Sequence, residues 1–227
     1  MKFNRIVALV LAGFVVSRPA SLPIEYNGAI DASFVQILID APEGSTIELS
    51  SRGGRASMAS QAAEIVEQKG FHLIIGEVCA SACVDYLFPA AESVTISTTS
   101  IVAMHGNPIV DYEGLQEHGF GHLAGCRRPW AERLQAIWSR NGVDDDAWRE
   151  TLDRLGFAGV SVAEGTECGR VDFQRAFWIP TSLQLRSMYG DNVIGSACAD
   201  DRACIETRIA HRWRGIPLVV GDVEIRF

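Results

Sequence analysis

Apolar and polar positions in the first half of the chain follow two alternating spacings. Apolar or β-branched runs of strand length occupy residues 24–30, 46–50, 72–76 and 94–104. Stretches with helical spacing lie between them, at residues 32–39, 57–69 and 81–91. This alternation of strands and helices predicts βαβ units and a largely parallel sheet. Since crossovers between parallel strands are right-handed, the strand ends that usually bind ligands share one edge.

The second half of the chain predicts more helix. Pro129 suits the first turn of a helix that ends at Asn141, and a further helix ends before Gly156. Residues 216–227 have strand character around Gly221. We therefore expect an α/β fold with a helical C-terminal half.

The first residues have the pattern of an export signal. Lys2 and Arg5 precede an apolar run at residues 6–16, which is short for a membrane span and has the length of a signal-peptide core. We expect residues 1–20 to be a signal peptide, or an anchor that tethers the protein to a membrane. Residues 21–227 then form a single domain with a C-terminal extension. A buried N-terminal strand or helix is the alternative interpretation.

Composition excludes some classes of function. The chain has 227 residues, which fits one domain, and 48% of them are hydrophobic, which is enough for a core. Its formal net charge is -8 and it has no basic cluster, so binding to nucleic acid is not expected. We expect no cofactor.

The six cysteines indicate disulfide bonds in an exported chain. They are Cys79, Cys83, Cys126, Cys168, Cys198 and Cys204. Six cysteines allow 15 pairings, and the sequence alone does not choose among them. The close pairs Cys79/Cys83 and Cys198/Cys204 are local candidates, and they would leave Cys126 with Cys168. Zinc binding is the weaker interpretation, because no Cys-x-x-Cys pair is present.

A second metal hypothesis concerns His118, His122 and Cys126, which are spaced four residues apart and would share one helical face. Gly119 and Gly121 argue against a firm helix there, and no His-Glu-x-x-His motif is present. We therefore expect no metal site.

Candidate chemistry lies at the ends of three predicted strands. Gly53 and Gly54 follow one strand, and glycines there let backbone N–H groups face a site without obstruction. Ser81 stands where the next strand turns into a helix, whose free N–H groups suit a developing oxyanion. His105 ends the following strand and could take the proton that keeps serine a poor nucleophile. The simpler interpretations are a helix cap for Ser81, a core residue for His105 and a plain turn for the glycines.

These segments resemble the Clp-protease/crotonase superfamily in their order and spacing. The segment 79–83, Cys-Ala-Ser-Ala-Cys, is similar to a Cys-x-Ser-Ala-Cys segment of exported bacterial Clp-like proteins, and His105 is followed by Pro108. The resemblance covers residues 24–108, under half of the chain. It implies a crotonase/Clp-like spiral of ββα units. It also implies Ser81 as nucleophile, His105 as base, and the N–H groups of Gly54 and Ala82 as oxyanion donors.

Two positions depart from the family pattern. Cys83 stands where the Clp proteases have a glycine, and Arg52 stands where most of them have a proline. Signal-peptide-peptidase-like members use a Ser–Lys pair instead, but the single lysine after the signal, Lys69, lies at the end of a predicted helix. We therefore expect a histidine base rather than a lysine base.

The third catalytic residue is the least determined. In the Clp proteases it is an aspartate in a downstream helix, and Asp153 best matches its distance from the histidine. Asp111, Asp172 and Asp191 are the alternatives.

The resemblance implies an exported serine hydrolase, periplasmic or secreted, that forms an acyl-enzyme. Peptides are the expected substrates, with small esters and amides as further candidates. Relatives form rings, so a homo-oligomer is implied as well. A non-catalytic envelope binding or scaffold protein on the same fold is the first alternative. An acyl-CoA enzyme of the crotonase branch is the second, although an acidic exported chain suits an anionic CoA poorly.

Overall fold

The structure, a computed structural model, describes residues 22–143, 146–162 and 164–225. The predicted signal or anchor at residues 1–20 therefore lies outside the described residues. Within the described ranges, no helix combines the length and the apolar character that crossing a membrane requires.

Strands and helices alternate along the chain. The strands are β1 (Ile24–Asn27), β2 (Thr46–Ser51), β3 (His72–Ala80), β4 (Ser93–Ile96), β5 (Ile101–Ala103), β6 (Phe157–Val162), β7 (Gly169–Phe173), β8 (Phe177–Ile179), β9 (Val193–Gly195), β10 (Leu218–Val220) and β11 (Val223–Ile225). The helices are α1 (Ala32–Asp40), α2 (Ala56–Lys69), α3 (Phe88–Ala90), α4 (Pro108–Glu117), α5 (Arg128–Arg140), α6 (Ala147–Leu155), α7 (Ser182–Tyr189), α8 (Arg202–Cys204) and α9 (Ala210–Arg212). Two π-helical turns, Cys83–Leu87 and Ile205–Ile209, run directly into α3 and α9.

A six-stranded parallel sheet organises the molecule. Its strand order is β1-β2-β3-β4-β9, and β5 pairs with the last residues of β3, beyond the part that pairs with β4. Each of these strand pairs is parallel. The predicted α/β class with a parallel sheet is confirmed.

Local signals explain where the helices begin and end. The side chain of Asp31 caps α1 by accepting hydrogen bonds from backbone N–H groups of the first turn. Gly70 ends α2 in the left-handed region, with φ 61°, which glycine adopts without strain. Asn107 caps α4 in the same way as Asp31 caps α1. This last cap fixes the chain directly after His105.

Apolar side chains of the sheet belong to two cores. The larger core packs α1, α2, α5 and the helical residues after β3 against the sheet. The smaller core contains Val78 and Ile101, from the ends of β3 and β5, together with Trp213 and Leu218 from the C-terminal part. The C-terminal segment is therefore packed against the strand ends that precede Ser81 and His105.

The C-terminal half contains strands that the sequence pattern does not predict, beside the helices that it does predict. Helices α5 and α6 end where expected, but β6 and β7 form an antiparallel hairpin, and β8, β10 and β11 form a separate small sheet. The strand character expected around Gly221 corresponds to β10 and β11, whereas β6, β7 and β8 are additional to the expected helices. The apolar residues of the hairpin, Phe157, Val160, Val171 and Phe173, pack against the larger core from strands, so tertiary contacts decide the structure there.

All six cysteines form disulfide bonds. The pairs are Cys79–Cys83, Cys126–Cys168 and Cys198–Cys204, and no cysteine is free. These are the pairs that the spacing of the cysteines favours. Three disulfides are typical of proteins that fold outside the cytoplasm, in an oxidising environment.

Candidate active site

Ser81 occupies the junction between β3 and the helical segment that follows. Its φ is 57°, and no other non-glycine residue in the described part of the chain has a positive φ. This left-handed conformation costs a non-glycine residue on the order of 1–3 kcal/mol. The Ser81 N–H donates to the Ala103 carbonyl at 2.9 Å, and the Ser81 carbonyl accepts from the N–H groups of Val84 and Asp85. Hydrogen bonds therefore fix the backbone on both sides of the half-exposed serine.

A disulfide and a π-helical turn reinforce this junction. The Cys79–Cys83 bond joins α-carbons 5.4 Å apart, and Ser81 is the central residue of the loop that it closes. The π-helical turn begins at Cys83, and such turns occur often at functional sites. The position of Ser81 is thus constrained covalently as well as by hydrogen bonds.

The glycine loop after β2 runs directly beside Ser81. Gly53 has φ 93°, and a Cβ added there would lie 2.8 Å from both the Ala80 carbonyl oxygen and the Ser81 Cβ. A Cβ on Gly53 would also lie 3.1 Å from the Ala82 nitrogen. Only glycine meets both requirements, the positive φ and the close approach. The N–H groups of Gly54 and Ala82 are not used by the backbone hydrogen bonds of the described loops and turns.

His105 follows β5, the strand beside the end of β3. Ala80 and Ala103 are register partners in this parallel pair, so Ser81 and His105 leave neighbouring strands at the same edge of the sheet. Met104 exchanges backbone hydrogen bonds with Trp178, which fixes the chain just before the histidine. The imidazole packs edge-on against Phe177, with ring centroids 5.6 Å apart.

The environment of His105 favours the neutral imidazole. Burial lowers the pKa of His105, the backbone of Gly106 acts in the opposite direction, and the positive charge of Arg170 lowers the pKa further. A histidine that is neutral at pH 7 can accept a proton, as a general base must. No described side chain donates to or accepts from the Ser81 Oγ. Catalytic hydrogen bonds are often long or poorly aligned without substrate.

Two cavities share His105 as a wall residue. We call the first the ion-pair cavity; it has a volume of about 440 Å³. Its charged lining residues are Asp111, Arg127, Arg170, Asp172 and Arg175. The second, of about 290 Å³, is lined by Arg52, Val78, Ala80, His105, Phe177, Arg212, Trp213 and Ile216, and we call it the Arg52–Arg212 cavity. Ala80, the residue directly before Ser81, lines the second cavity together with His105.

The carboxylates considered for the third catalytic position lie in different surroundings. Asp153 is exposed on α6, and Asp191 is exposed before β9.

The other two carboxylates lie near His105. Asp111 accepts a hydrogen bond from the Val171 N–H at 3.1 Å, and burial raises the pKa of Asp111. Asp172 accepts from the Ser161 hydroxyl at 3.0 Å. The structure thus brings Asp111 and Asp172 into the ion-pair cavity with His105.

A buried carboxyl group connects the Ser81 helix to the His105 loop. Asp85 is 1% exposed, and burial raises its pKa to about 8, with a hydrogen bond from Asn107 acting in the opposite direction. The Asn107 Nδ2 lies 3.5 Å from the Asp85 Oδ1, while the Asn107 Oδ1 caps α4. The Trp138 indole N–H donates to the Asp85 carbonyl at 2.7 Å. Sequence reasoning missed this group, although a lone aspartate in the apolar run 82–91 is a visible signal.

The residues considered for a lysine base or a metal site make other contacts in the structure. The Lys69 ammonium donates to the carbonyl oxygens of Leu38, Ile39 and Ala41 at the end of α1. Cys126 is in a disulfide, and the described residues contain no group of three or more candidate metal ligands. His118 stacks on the Phe157 ring, with centroids 3.7 Å apart.

Sequence reasoning also missed the left-handed conformation of Ser81. A signal for it is present, because Ala80 and Ala82 are small residues on either side of a serine at a strand–helix junction. Sharp strand-to-helix turns that expose a nucleophilic serine need small neighbours for the same steric reason.

Comparisons with known proteins leave the family open. No protein-family model matches the chain, and no curated protein matches it. Among solved structures, a mutant form of ClpP1 from Listeria monocytogenes matches with a TM-score of 0.42 and 12% sequence identity. This match covers 58% of the present chain and 77% of the ClpP1 chain.

Proposed function

We propose that this protein is an exported serine hydrolase of the Clp-protease/crotonase type, and that it acts as a peptidase. Ser81 is the nucleophile and His105 the general base. The N–H groups of Gly54 and Ala82 form the oxyanion hole. The three disulfides support a periplasmic or secreted location.

One observation carries this proposal: the conformation of Ser81. A serine with φ 57° at the end of a parallel strand costs stability, and such strain persists where the surrounding structure over-determines it, commonly at active sites. Here the disulfide, the Ala103 hydrogen bond and the Gly53 contact all act on this one residue. A helix cap needs none of these constraints, because capping residues have ordinary extended backbone angles.

The arrangement supports a two-step reaction through an acyl-enzyme. His105 takes the proton of the Ser81 hydroxyl as the Ser81 Oγ attacks the substrate carbonyl carbon. The former carbonyl oxygen becomes negatively charged and accepts hydrogen bonds from the N–H groups of Gly54 and Ala82. The protonated His105 then gives its proton to the leaving amine, and a water molecule hydrolyses the acyl-enzyme with His105 again as base.

A fluorophosphonate probe tests this function. The disulfide-bonded protein should be labelled at Ser81, and Ser81→Ala should abolish the labelling, whereas Ser187→Ala, an exposed serine of α7, should leave it unchanged. His105→Ala should slow labelling by at least about 10³-fold, because the hydroxyl then lacks its base. Intact folding of each variant is checked by its melting curve. Absence of labelling at Ser81 would exclude a serine hydrolase and favour a non-catalytic binding or scaffold protein.

A further inference from the structure

The Arg52–Arg212 cavity is lined by apolar residues and by two exposed arginines. Its apolar residues come from the end of β3 and from the C-terminal half, where Phe177, Trp213 and Ile216 lie. Its charged residues are Arg52 and Arg212, and no carboxylate is among the residues that line it. A ligand that fits this lining has an apolar part and an anionic group.

The charge of Arg52 is not neutralised by the protein. Arg52 is exposed and has no ion pair or side-chain hydrogen bond among the described residues. Most of the other described arginines have a carboxylate partner, in a chain whose formal net charge is -8. An arginine without a partner on an acidic protein, at the edge of the proposed site, is available to a ligand.

Arg212 is only weakly held by its partner. Its Nη2 lies 3.6 Å from a Glu77 oxygen, and the same carboxylate lies 3.9 Å from Arg208. One carboxylate therefore serves two guanidinium groups. Arg52, Val78 and Arg212 also line a neighbouring cavity of about 410 Å³ along the loop after β2, where Glu77 is the one carboxylate beside the two arginines.

From this arrangement we infer that the protein prefers peptide substrates with a carboxylate next to the scissile bond, and that Arg52 and Arg212 bind that carboxylate. This inference rests on the proposed function, because the cavity is lined by His105 and by Ala80, the residue before Ser81. A guanidinium group binds a carboxylate through charge-assisted hydrogen bonds, which discriminate strongly against a neutral amide of the same shape. The carboxylate can belong to a glutamate or aspartate side chain, or to the free C-terminus of the peptide.

Internally quenched peptides test the preference and distinguish the two sources. One set carries Glu or Gln at each position flanking the cleaved bond, with an amidated C-terminus, and a second set carries Gln with a free C-terminal carboxylate. We expect the favoured carboxylate to raise kcat/KM by about 10–100-fold over its neutral partner, an advantage that falls with added salt. A higher kcat/KM for Glu than for Gln shows that the arginines bind a side-chain carboxylate. A higher kcat/KM for the free than for the amidated C-terminus shows that they bind the terminal carboxylate.

Variants connect this preference to the two arginines. Arg52→Gln and Arg212→Gln should each lower the ratio of carboxylate to amide kcat/KM, and the double variant should bring it to about 1. Arg214→Gln removes a nearby exposed arginine that does not line the cavity, so it should keep the wild-type ratio. Melting curves show that each variant is folded.

The possible failures separate the inference from the proposed function. If Ser81 is labelled by the fluorophosphonate but the ratio is near 1, or if the double variant keeps a high ratio, the inference is wrong and the hydrolase proposal stands. Hydrolysis of CoA thioesters in preference to all peptides would also overturn the inference. If Ser81 is not labelled, the proposed function fails, and the inference fails with it.

Discussion

The two cavities that share His105 differ in how their charges are satisfied. In the ion-pair cavity the guanidinium groups have partners, with Arg127 3.5 Å from Asp111 and Arg170 3.4 Å from Asp172. In the Arg52–Arg212 cavity, by contrast, Arg52 has no partner among the described residues.

This difference suggests different tasks for the two sides of the histidine. Paired charges are already neutralised and have fixed positions, which suits groups that orient a catalytic side chain or tune its pKa. An unpaired guanidinium keeps its capacity to bind an anion. On this interpretation the ion-pair cavity supports His105, and the Arg52–Arg212 cavity receives substrate.

The largest effect should come from removing a carboxylate of the ion-pair cavity. We expect one of the two variants Asp111→Asn and Asp172→Asn to lower kcat by about 10²–10⁴-fold, because these carboxylates line the same cavity as His105 and the proposed mechanism needs a carboxylate that orients the imidazole. Asp153→Asn is the comparison, since Asp153 is exposed on α6. Hydrolysis of a peptide by the three variants provides the measurement. If Asp153→Asn alone causes the loss, then Asp153 is the third residue, as its spacing in the sequence predicts.

Gly53→Ala tests the contact between the glycine loop and Ser81. A Cβ at Gly53 would crowd the Ala80 carbonyl and Ser81, so we expect labelling of Ser81 to slow by about 10²-fold as the serine and the oxyanion donors shift. Gly44→Ala is a matched control, because Gly44 has a similar φ of 70° but no atom within 4 Å of an added Cβ. Equal effects of both variants on labelling would show that the contact with Ser81 is unimportant.

Arg170→Gln should have a smaller effect, visible in the pH profile. Burial and then the charge of Arg170 lower the pKa of His105. The proposed mechanism needs neutral His105, so we expect activity to be lost as pH falls through this pKa. Removing the positive charge raises the pKa, and the acid limb of kcat/KM should move to higher pH. Arg202→Gln, in a surface ion pair with Glu206, should leave the acid limb in place. A shift of the limb to lower pH would contradict the role of Arg170.

Asp85→Asn should affect stability more than activity. Burial raises the pKa of Asp85 to about 8 from an ordinary 3.8, so between these values the folded protein holds a proton that the unfolded chain releases. The contribution of Asp85 to stability therefore falls as pH rises through this window, by up to about 1.4 kcal/mol per pH unit. Urea unfolding at pH 5 and pH 7 measures this. The free energy of unfolding should fall less between pH 5 and pH 7 in Asp85→Asn than in the wild type. The exposed Asp191→Asn should behave as wild type, and an equal slope in all three proteins would argue against a protonated Asp85.

The strands and helices that lead to Ser81 and His105 are predictable from the sequence, because the signals that form them are local. The periodicity around β1 to β5, the Asp31 cap and the Gly70 stop all act within a few residues. The short spacings of two cysteine pairs likewise favour the bonds that the structure contains. The position of Ser81 and His105 on neighbouring strands follows from this order.

The surroundings of the candidate site depend on contacts between distant parts of the chain. Arg170 lies in the same cavity as His105 because it belongs to the β6–β7 hairpin, which the sequence pattern does not predict. Arg212 and Trp213 arrive from a segment held by the smaller core. The spiral fold, the roles of the site residues and the oligomeric state implied by the resemblance stay predictions, since nothing in the geometry tests them.

The Cys79–Cys83 bond makes the constraint on Ser81 depend on oxidation of the chain. Until the two thiols are oxidised, the chain has only non-covalent contacts to hold Ser81 in its left-handed conformation. A newly made, reduced chain therefore lacks the covalent constraint on this residue. Under the proposed function, activation of the serine is in this way coupled to arrival in a compartment that forms disulfides, so a chain still in the cytoplasm would be less able to cleave the proteins around it.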